Sequence, residues 1–201
     1  MNRHRWCLLI IGALVACGCS GCRSVTPPVN YYVITAVATA PPVIAMETDG
    51  RLMSVGLRTV ELPGYAKRLH LVKRSGSNRL AIADYHRWAD HPDRMVQRVI
   101  GENLQILMPA ASVYSAPWPA GLKPDRVVDI SLLELIGTND TSMLLNAVWT
   151  VSDGRNPSLV RSHRTTLSHP MTGSAFADLA SAHDQVLALL SQEVAASLYI
   201  K

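Results

Sequence analysis

Apolar and polar residues alternate along two stretches in the second half of the chain. Residues 128–132 place Val, Ile and Leu at every second position, residues 145–151 repeat the pattern, and a third candidate strand at 159–167 follows the next turn signal. Successive residues of a strand point to opposite faces, so this pattern predicts strands with one buried face. The turn signals Asn139-Asp140 and Asp153-Gly154 separate them. We therefore predict an antiparallel meander of three strands.

Four apolar runs in the first half of the chain also have the composition of strands. They cover residues 31–34, 52–61, 70–73 and 80–83. The longest run ends at a Leu-Pro-Gly turn signal. Ser, Gly and Asn residues at 75–78 separate the last two runs and predict a hairpin turn. The meander is thus expected to belong to a larger sheet.

Two other segments repeat apolar residues at the spacing of a helix. In the first, Asp90 can cap the helix, Pro92 is tolerated in the first turn, and Pro109 ends the run. The second segment covers residues 174–198. The apolar positions are Val96, Val99, Ile100, Leu104 and Leu107 in the first segment, and Leu179, Val186, Leu187, Leu190, Val194 and Leu198 in the second. The predicted fold is α+β, an antiparallel or mixed β-sheet with two main α-helices packed on it in a single domain.

The start of the chain has the features of an export signal. Arg3 and Arg5 precede an apolar run at 7–15, which is too short to span a bilayer as a helix and has the length of a signal-peptide core. A Leu-Val-Ala-Cys sequence that ends at Cys17 follows, and it resembles the cleavage box of bacterial lipoproteins. In such proteins the cysteine carries a diacylglycerol thioether and a peptidase cuts just before it. We predict a lipoprotein signal peptide at 1–16 and lipidation at Cys17.

Two nearby cysteines leave alternatives for the lipid anchor. Cys19 and Cys22 are rival acylation sites, but neither has a leucine three positions before it. An ordinary secretory signal or a permanent membrane anchor fits less well, because the cleavage box lies at the end of the apolar run. The two cysteines also form a C-x-x-C pair. We expect this pair to be part of the tether, as a disulfide or as free thiols, rather than a redox or metal site. The residue after Cys17 is glycine rather than aspartate, which by resemblance to lipoprotein sorting predicts the outer membrane, with the body facing the periplasm.

Composition narrows the class of protein further. All four cysteines lie within the first 22 of 201 residues, which excludes a disulfide-stapled core and a cysteine-ligated metal site in the body. We expect residues 17–50 to hold the lipidated cysteine, a tether and the first short strand, and residues 51–201 to form a single periplasmic α+β domain. Without Arg3 and Arg5, 17 basic residues remain against 15 acidic ones. This scattered charge indicates no nucleic-acid partner.

Candidate chemistry is sparse. The histidines beyond the signal show no metal-binding spacing, and His183, beside the apolar stripe of the second helix, is expected to be partly buried and hydrogen-bonded. No nucleophile elbow, phosphate-binding loop or dinucleotide fingerprint occurs. Ser77 lies in a turn with no neighbour that would activate it. The sequence predicts no catalytic, cofactor-binding or metal-binding residues.

Three tryptophans of the body can pack in the core or belong to a partner surface. Trp149 alternates with apolar neighbours and is predicted to be core. Trp88 lies between a predicted strand and a helix start, and Trp118 lies in a Pro-rich loop. Both of these could be core residues, or they could contact a partner, since Trp, Tyr and Arg are enriched at interfaces.

Several separated sequence blocks form a recognisable combination. They are VGLRTVELPGY at 55–65, LVKR at 71–74, NRL at 78–80, DYHRWA at 84–89 and ENL at 102–104, with YYV at 31–33 upstream and AVW at 147–149 downstream. Together with the lipoprotein cleavage box, these blocks resemble the ABC-type transport auxiliary lipoproteins. The resemblance covers most of the mature chain and is strongest over residues 55–104.

This resemblance implies a non-catalytic part of an intermembrane lipid-transport system. In such systems a periplasmic MCE-domain protein extends from an inner-membrane partner towards the outer membrane. The lipoprotein is expected to dock that protein at the outer membrane as a homo-oligomeric ring held by its lipid anchors. Two alternatives stay open: a structural or assembly lipoprotein of another outer-membrane complex, and a periplasmic enzyme or lipid carrier. The last would need a deep apolar pocket or clustered acids and bases.

Overall fold

The computed structural model describes residues 26–39, 47–48, 51–138, 141–156, 158 and 160–198. The predicted signal peptide, the cysteines at 17, 19 and 22 and the predicted turn at 139–140 lie outside these residues. The described strands are β1 (Asn30–Tyr32), β2 (Glu47–Thr48), β3 (Arg51–Leu52), β4 (Ser54–Glu61), β5 (His70–Arg74), β6 (Leu80–Trp88), β7 (Ser112–Ser115), β8 (Arg126–Thr138), β9 (Ser142–Asp153) and β10 (Val160–Pro170). The described α-helices are α1 (Pro92–Leu107) and α2 (Phe176–Leu198), and a 3-10 turn covers Gly64–Lys67.

The predicted meander is confirmed and supplies three of the eight strands described in the main sheet. β8 pairs antiparallel with β9, and β9 pairs antiparallel with β10, along almost their whole lengths. Alternate residues of β9 are buried on the face towards the helices, namely Met143, Leu145, Ala147, Trp149 and Val151. The residues between them are mostly half-buried on the other face, which explains the alternating pattern of the sequence.

The other edge of β8 is shared by two strands. β4 runs parallel to the first half of β8 and is flanked by the parallel edge strand β7. β5 runs parallel to the last two residues of β8 and pairs antiparallel with β6, and β6 pairs in parallel with β1. The sheet is therefore mixed, which was one of the two predicted arrangements, antiparallel or mixed. We refer to β1, β6 and β5 together as the wing.

Both helices pack on the same face of this sheet. α1 contacts β4 and β7, α2 contacts β9 and β10, and the two helices contact each other. Val96 and Ile100 of α1 and Leu179 and Leu187 of α2 are fully buried between the layers. The predicted α+β domain with two main helices on a sheet is thus confirmed. Neither described helix is apolar enough over a sufficient length to cross a bilayer.

The start of α1 differs from the prediction. The helix begins at Pro92, and His91 rather than Asp90 is the residue that precedes it. The Asp90 carboxylate accepts the N–H of His91 at 2.7 Å, and the helix start has no side-chain cap. Asp93 does lie in the first turn, where a negative charge stabilises the helix dipole. The prediction that Asp90 caps the helix is therefore wrong.

Several strand boundaries also differ from the predicted ones. The predicted strand at 52–61 is divided into β3 and β4, and β1 ends at Tyr32 rather than at residue 34. β6 continues five residues beyond its predicted end, to Trp88, because the segment 84–88 alternates between two faces without being apolar throughout. β7 was not predicted, since four residues next to a Pro-rich loop carry little periodic signal.

Candidate functional site

The first described residues connect the predicted lipid anchor to the folded body. Cys17 lies outside the described residues, and eight residues separate it from Thr26, where the description begins. The chain then forms β1 at the edge of the wing and continues as an extended segment that contacts both helices. We refer to this segment, residues 33–39, as the strap.

α1 binds the strap through two side chains. Arg98 donates from Nη2 to the carbonyl oxygen of Ile34 at 2.8 Å, and Asn103 Oδ1 accepts the N–H of Ala38 at 3.0 Å. Ile34 is 1% exposed and Asn103 is fully buried. Buried backbone groups without a hydrogen-bond partner cost free energy, so Arg98 and Asn103 make burial of the strap possible.

α2 binds the strap through one carboxylate. Thr35 donates to Asp184 twice, from its backbone nitrogen at 2.9 Å and from its hydroxyl at 2.8 Å. Burial raises the pKa of the Asp184 carboxyl, and the two hydrogen bonds from Thr35 act in the opposite direction. The strap is thus attached to both helices by polar contacts as well as by apolar packing.

An aromatic cluster connects β1 to the wing and to the start of α2. The hydroxyl of Tyr32 lies 2.8 Å from His86 Nδ1, and the ring of His86 stacks on Phe176 with 4.0 Å between centroids. Lys73 Nζ lies 4.4 Å from the centre of the Phe176 ring and donates to the carbonyl oxygen of Ser174 at 2.7 Å. These contacts position the first strand after the tether against the strands of the wing and the helix layer.

His183 is buried in α2 beside Trp88. Its Nδ1 lies 2.8 Å from the carbonyl oxygen of Leu179, so the neutral ring carries its proton on Nδ1 and donates it there. The ring meets Trp88 edge-on, with 5.0 Å between centroids. Burial lowers the pKa of His183 to about 4, while the hydrogen bond to Leu179 acts in the opposite direction. The prediction of a buried, hydrogen-bonded histidine is confirmed.

Acidification is expected to destabilise the fold through His183. The unfolded chain takes up a proton on this ring near the ordinary pKa of 6.5, whereas the folded protein does so only near pH 4. The stability that the neutral ring contributes is therefore complete above pH 6.5 and is lost progressively as the pH falls to about 4. The expected loss is about 3 kcal/mol of unfolding free energy. Denaturant unfolding at a series of pH values between 7 and 4 measures it.

The control for this pH dependence is the variant His183→Asn, which keeps a neutral donor near the position of Nδ1. The variant is expected to be less stable at pH 7 but to lose the pH-dependent part between 6.5 and 4. Asp184, whose raised pKa acts in the opposite direction, is present in both proteins and cancels in the difference. An equal slope in the two proteins would contradict the assignment to His183.

Three cavities show what the described part of the body can hold. The cavity beside Trp88 and His183 has a volume of about 20 Å³, which is room for one water and not for a lipid chain. A cleft of about 290 Å³ lies at one end of the meander, where Arg126 pairs with Asp153 at 2.9 Å. Backbone N–H groups of the following turn lower the pKa of the Asp153 carboxyl. A third cleft, of about 440 Å³, lies open between α1 and β7 and is lined mainly by polar side chains of α1. None of these three spaces is the deep apolar pocket that a lipid carrier needs.

The side chains with metal-binding or catalytic potential lie apart from one another. Within the described parts of the chain, no three His, Cys, Asp or Glu side chains lie close enough together to hold a metal ion. His86 and His183 make the contacts given above, and His163 stacks on Trp149 with 5.2 Å between centroids. These three histidines therefore take part in packing contacts of the sheet and the helix layer.

The three tryptophans have different environments. Trp149 is 3% exposed and donates from Nε1 to Ser197 Oγ at 3.1 Å, which confirms the predicted core position. Trp88 is 5% exposed, so it is a core residue and not part of a partner surface. Trp118 is half-buried over Gly56, where an added Cβ would lie 2.9 Å from the indole. Trp118 therefore keeps a free side that a partner can reach.

Sequence signals existed for some residues that we did not predict to hold the strap. Asn103 is a polar residue within the apolar stripe of α1, one turn before Leu107, and such a position requires a buried hydrogen-bond partner. Asp184 follows His183 in α2 and gives no comparable signal, because an acidic residue next to an apolar stripe is ordinary on a helix surface. Its role depends on where the strap crosses the helix.

Comparisons with known proteins identify the family. A model of the family described as "ABC-type transport auxiliary lipoprotein component" matches residues 32–195. A crystal structure of an uncharacterised protein superposes with a TM-score of 0.70 at 15% identity, covering 86% of this chain and 99% of the other. The crystal structure of protein XCC0632 from Xanthomonas campestris superposes with a TM-score of 0.68 at 13% identity, covering 83% of this chain and 92% of the other.

These likenesses differ in what they establish. At such low identities the two solved structures show a shared fold and nothing about activity. Among curated proteins, none matches the sequence. The family model, in contrast, extends from the last residue of β1 into the final turns of α2 and thus covers the wing, the meander and both helices. The chain therefore belongs to the family of ABC-type transport auxiliary lipoprotein components.

Proposed function

We propose that this protein is the outer-membrane lipoprotein of an MCE-type intermembrane lipid-transport system. Its role there is to dock the periplasm-spanning MCE-domain protein at the outer membrane without carrying out a chemical reaction. The observation that supports this most is the family match over residues 32–195, which includes every main strand and both helices. The resemblance of the sequence blocks to the paraquat-inducible lipoprotein PqiC favours a PqiB-like MCE-domain partner.

The lipid anchor of this proposal is a diacylglycerol thioether on Cys17. The cleavage box ending at Cys17 and the glycine that follows it support an anchor in the inner leaflet of the outer membrane. The strap supports it as well, because a short tether transmits the position of the anchor only when the first residues of the body are fixed. β1 is fixed by its pairing with β6, and Arg98, Asn103 and Asp184 fix the strap that directly follows it.

The partner contact of this proposal involves several copies of the chain in a ring. A ring presents the same surface many times around one axis, which suits a docking piece for an elongated partner. Trp118 is a candidate contact, because its half-buried indole lies over Gly56 and is supported by the Pro-rich loop. A rigid aromatic residue with one open side is typical of interface anchors.

Co-purification tests the proposed function. The full-length protein with a C-terminal affinity tag is extracted from membranes with mild detergent, after photo-crosslinking from an unnatural residue at position 118. We expect an MCE-domain protein in the purified complex and a crosslink to it. The matched control carries the crosslinker at Thr166, which is exposed on β10. Recovery of a different outer-membrane complex would instead support the structural or assembly lipoprotein and contradict the MCE partnership.

A further inference from the structure

We propose that the outer face of the wing lies on the bilayer that holds the lipid anchor. The proposed contact consists of Tyr31, Leu80, Ile82 and Tyr85, on the face of β1 and β6 that points away from the helices. We refer to these four residues as the wing patch. The proposal rests on the lipid at Cys17 and adds to it a second point of contact, made by the folded body itself.

The strand register places two tyrosines of the wing patch on this face. Tyr32 and His86 point towards the helix layer, because they contact each other and His86 stacks on Phe176 at the start of α2. Neighbouring residues of a strand point to opposite faces, so Tyr31 and Tyr85 point away from the helices. Tyr31 is 65% exposed and Tyr85 is 38% exposed.

The two aliphatic members of the wing patch lie on the same face, although each is an odd number of residues from Tyr85. The β5–β6 register shifts between residues 82 and 87 of β6, so the alternation seen at Tyr85 does not continue through this irregularity. Leu80 pairs directly with Arg74 in the β5–β6 ladder, and Ile82 pairs with Val72 two positions away. Lys73, between Arg74 and Val72, points to the helix side, where it contacts the start of α2. Arg74 and Val72 therefore point outward, and their partners do so too. Leu80 is 41% and Ile82 47% exposed.

The chemistry of the wing patch fits the interfacial region of a membrane. Tyrosine is enriched there because its ring is apolar and its hydroxyl remains hydrated. Arg87 pairs with Tyr31 in the ladder, and the exposed side chains of Arg68 and Arg79 lie next to β5 and β6. The exposed Asp84 lies between Ile82 and Tyr85 in β6, so three arginines and one carboxylate border the wing patch. The remaining excess of positive charge suits a leaflet that contains anionic lipids.

The proposed tether leads into the edge strand that carries Tyr31, which holds the wing patch within reach of the membrane. Thirteen residue steps connect Cys17 to Asn30, the first residue of β1. Fully extended they reach about 45 Å, and as a relaxed flexible chain about 20 Å. The edge strand that carries Tyr31 is the first part of the body after this tether. A tether of this span gives the wing patch an effective concentration at the membrane in roughly the millimolar range. Even a weak contact between the patch and the bilayer is then formed for much of the time.

The test uses the absence of cysteines between residue 22 and the end of the chain. Cys19 and Cys22 are replaced by serine, and one new cysteine is introduced by Ile82→Cys and labelled with an environment-sensitive nitrobenzoxadiazole dye. The purified lipidated protein is placed in vesicles of phosphatidylethanolamine and phosphatidylglycerol, with or without a doxyl-labelled quencher lipid. The control carries the dye through Thr166→Cys, an exposed position on the opposite edge of the sheet.

We expect the dye at position 82 to show a blue-shifted emission that the doxyl lipid quenches, and the dye at position 166 to remain as in water. A second pair of proteins carries the dye through Tyr85→Cys, one with Ile82 and one with the change Ile82→Asp. The change is expected to lower the association constant of the patch with the bilayer about tenfold. Unshifted emission at position 82 overturns the proposal. A blue shift without quenching also overturns it, because a protein then covers the face.

The failure of this inference is distinguishable from the failure of the proposed function. Flotation of the vesicles and the mass of the N-terminal peptide report the lipid anchor independently of the dye. A protein that floats while the dye at position 82 stays in water keeps its anchor and has no second contact. A protein without acyl chains that does not float contradicts the proposed anchor itself.

Discussion

In a detergent phase-separation assay, fewer than about one in ten molecules of the variant Cys17→Ser are expected in the detergent phase. The protein with the parent sequence is expected there almost entirely. In the proposed anchor the acyl chains supply the attachment: each buried methylene contributes about 0.8 kcal/mol, and two or more chains are needed for a stable anchor. The described helices offer no membrane span that could replace them. The mass of the mature N-terminal peptide, with or without the acyl groups, is the second measurement.

Two neighbouring cysteines provide the matched controls for this experiment. Cys19→Ser and Cys22→Ser remove the same thiol a few residues away, so they are expected to leave both acylation and detergent partition unchanged. Loss of the acyl groups in Cys22→Ser but not in Cys17→Ser would move the anchor to position 22 and contradict our assignment. Retention of the acyl groups in all three variants would contradict a thioether anchor altogether.

The consequence of an anchor at Cys17 depends on the strap. Under the proposed anchor the tether leads into β1, which pairs with β6, and the strap that follows attaches the end of β1 to the helix layer. Arg98 and Asn103 of α1 and Asp184 of α2 hold the strap by three side chains from two elements. The orientation of the body relative to the proposed anchor therefore depends on the contacts of the strap with both helices.

The sequence predicted those parts of the fold whose residues follow a local period. The meander was predictable because one face of each strand is buried under the helices, so that apolar residues recur at every second position, as in β9. The two helices were predictable for the same reason, with residues such as Val96 and Leu187 recurring on one side. The α+β class then followed from the packing of helices on a sheet, whereas the choice between an antiparallel and a mixed sheet stayed open.

The arrangement of the remaining strands was not predictable from local patterns. β4 runs parallel to β8 although about 70 residues separate the paired positions, as in Val60↔Ile130, and nothing in either segment specifies that register. The sharing of one edge of β8 by β4 and β5 also depends on how the 3-10 turn at Gly64–Lys67 separates them. Such pairings are decided by tertiary packing, which a single sequence does not display.

Trp88 illustrates the same limit for a single residue. The sequence placed it between a strand and a helix, where a core position and a partner surface were both open. β6 instead continues to Trp88, and the strand direction turns its indole towards α2, where it meets His183. Trp88 is buried because β6 extends five residues beyond its predicted end, and this extension sets the direction of the side chain.

The substitution Trp88→Ala is expected to destabilise the fold by about 3–5 kcal/mol. The indole is 5% exposed, and its removal enlarges a cavity that is already present between the wing and α2. The edge-on contact with His183 is lost as well, and such aromatic pairs contribute about 0.5–1.5 kcal/mol beyond burial. Because the enlarged cavity admits water, the pKa of His183 is expected to rise towards its ordinary value. Chemical unfolding at pH 7 and titration of the His183 ring by NMR measure the two effects.

Trp118→Ala is the matched control, because it removes the same side chain from a half-buried position in a loop. Its expected cost is about 1 kcal/mol, and the pKa of His183 should not change. Equal losses of stability in the two variants would contradict the assignment of Trp88 to the core and of Trp118 to the surface. A stable Trp88→Ala protein with an unchanged His183 pKa would show that the wing does not pack on α2 through this indole, and the placement of β6 would then be wrong.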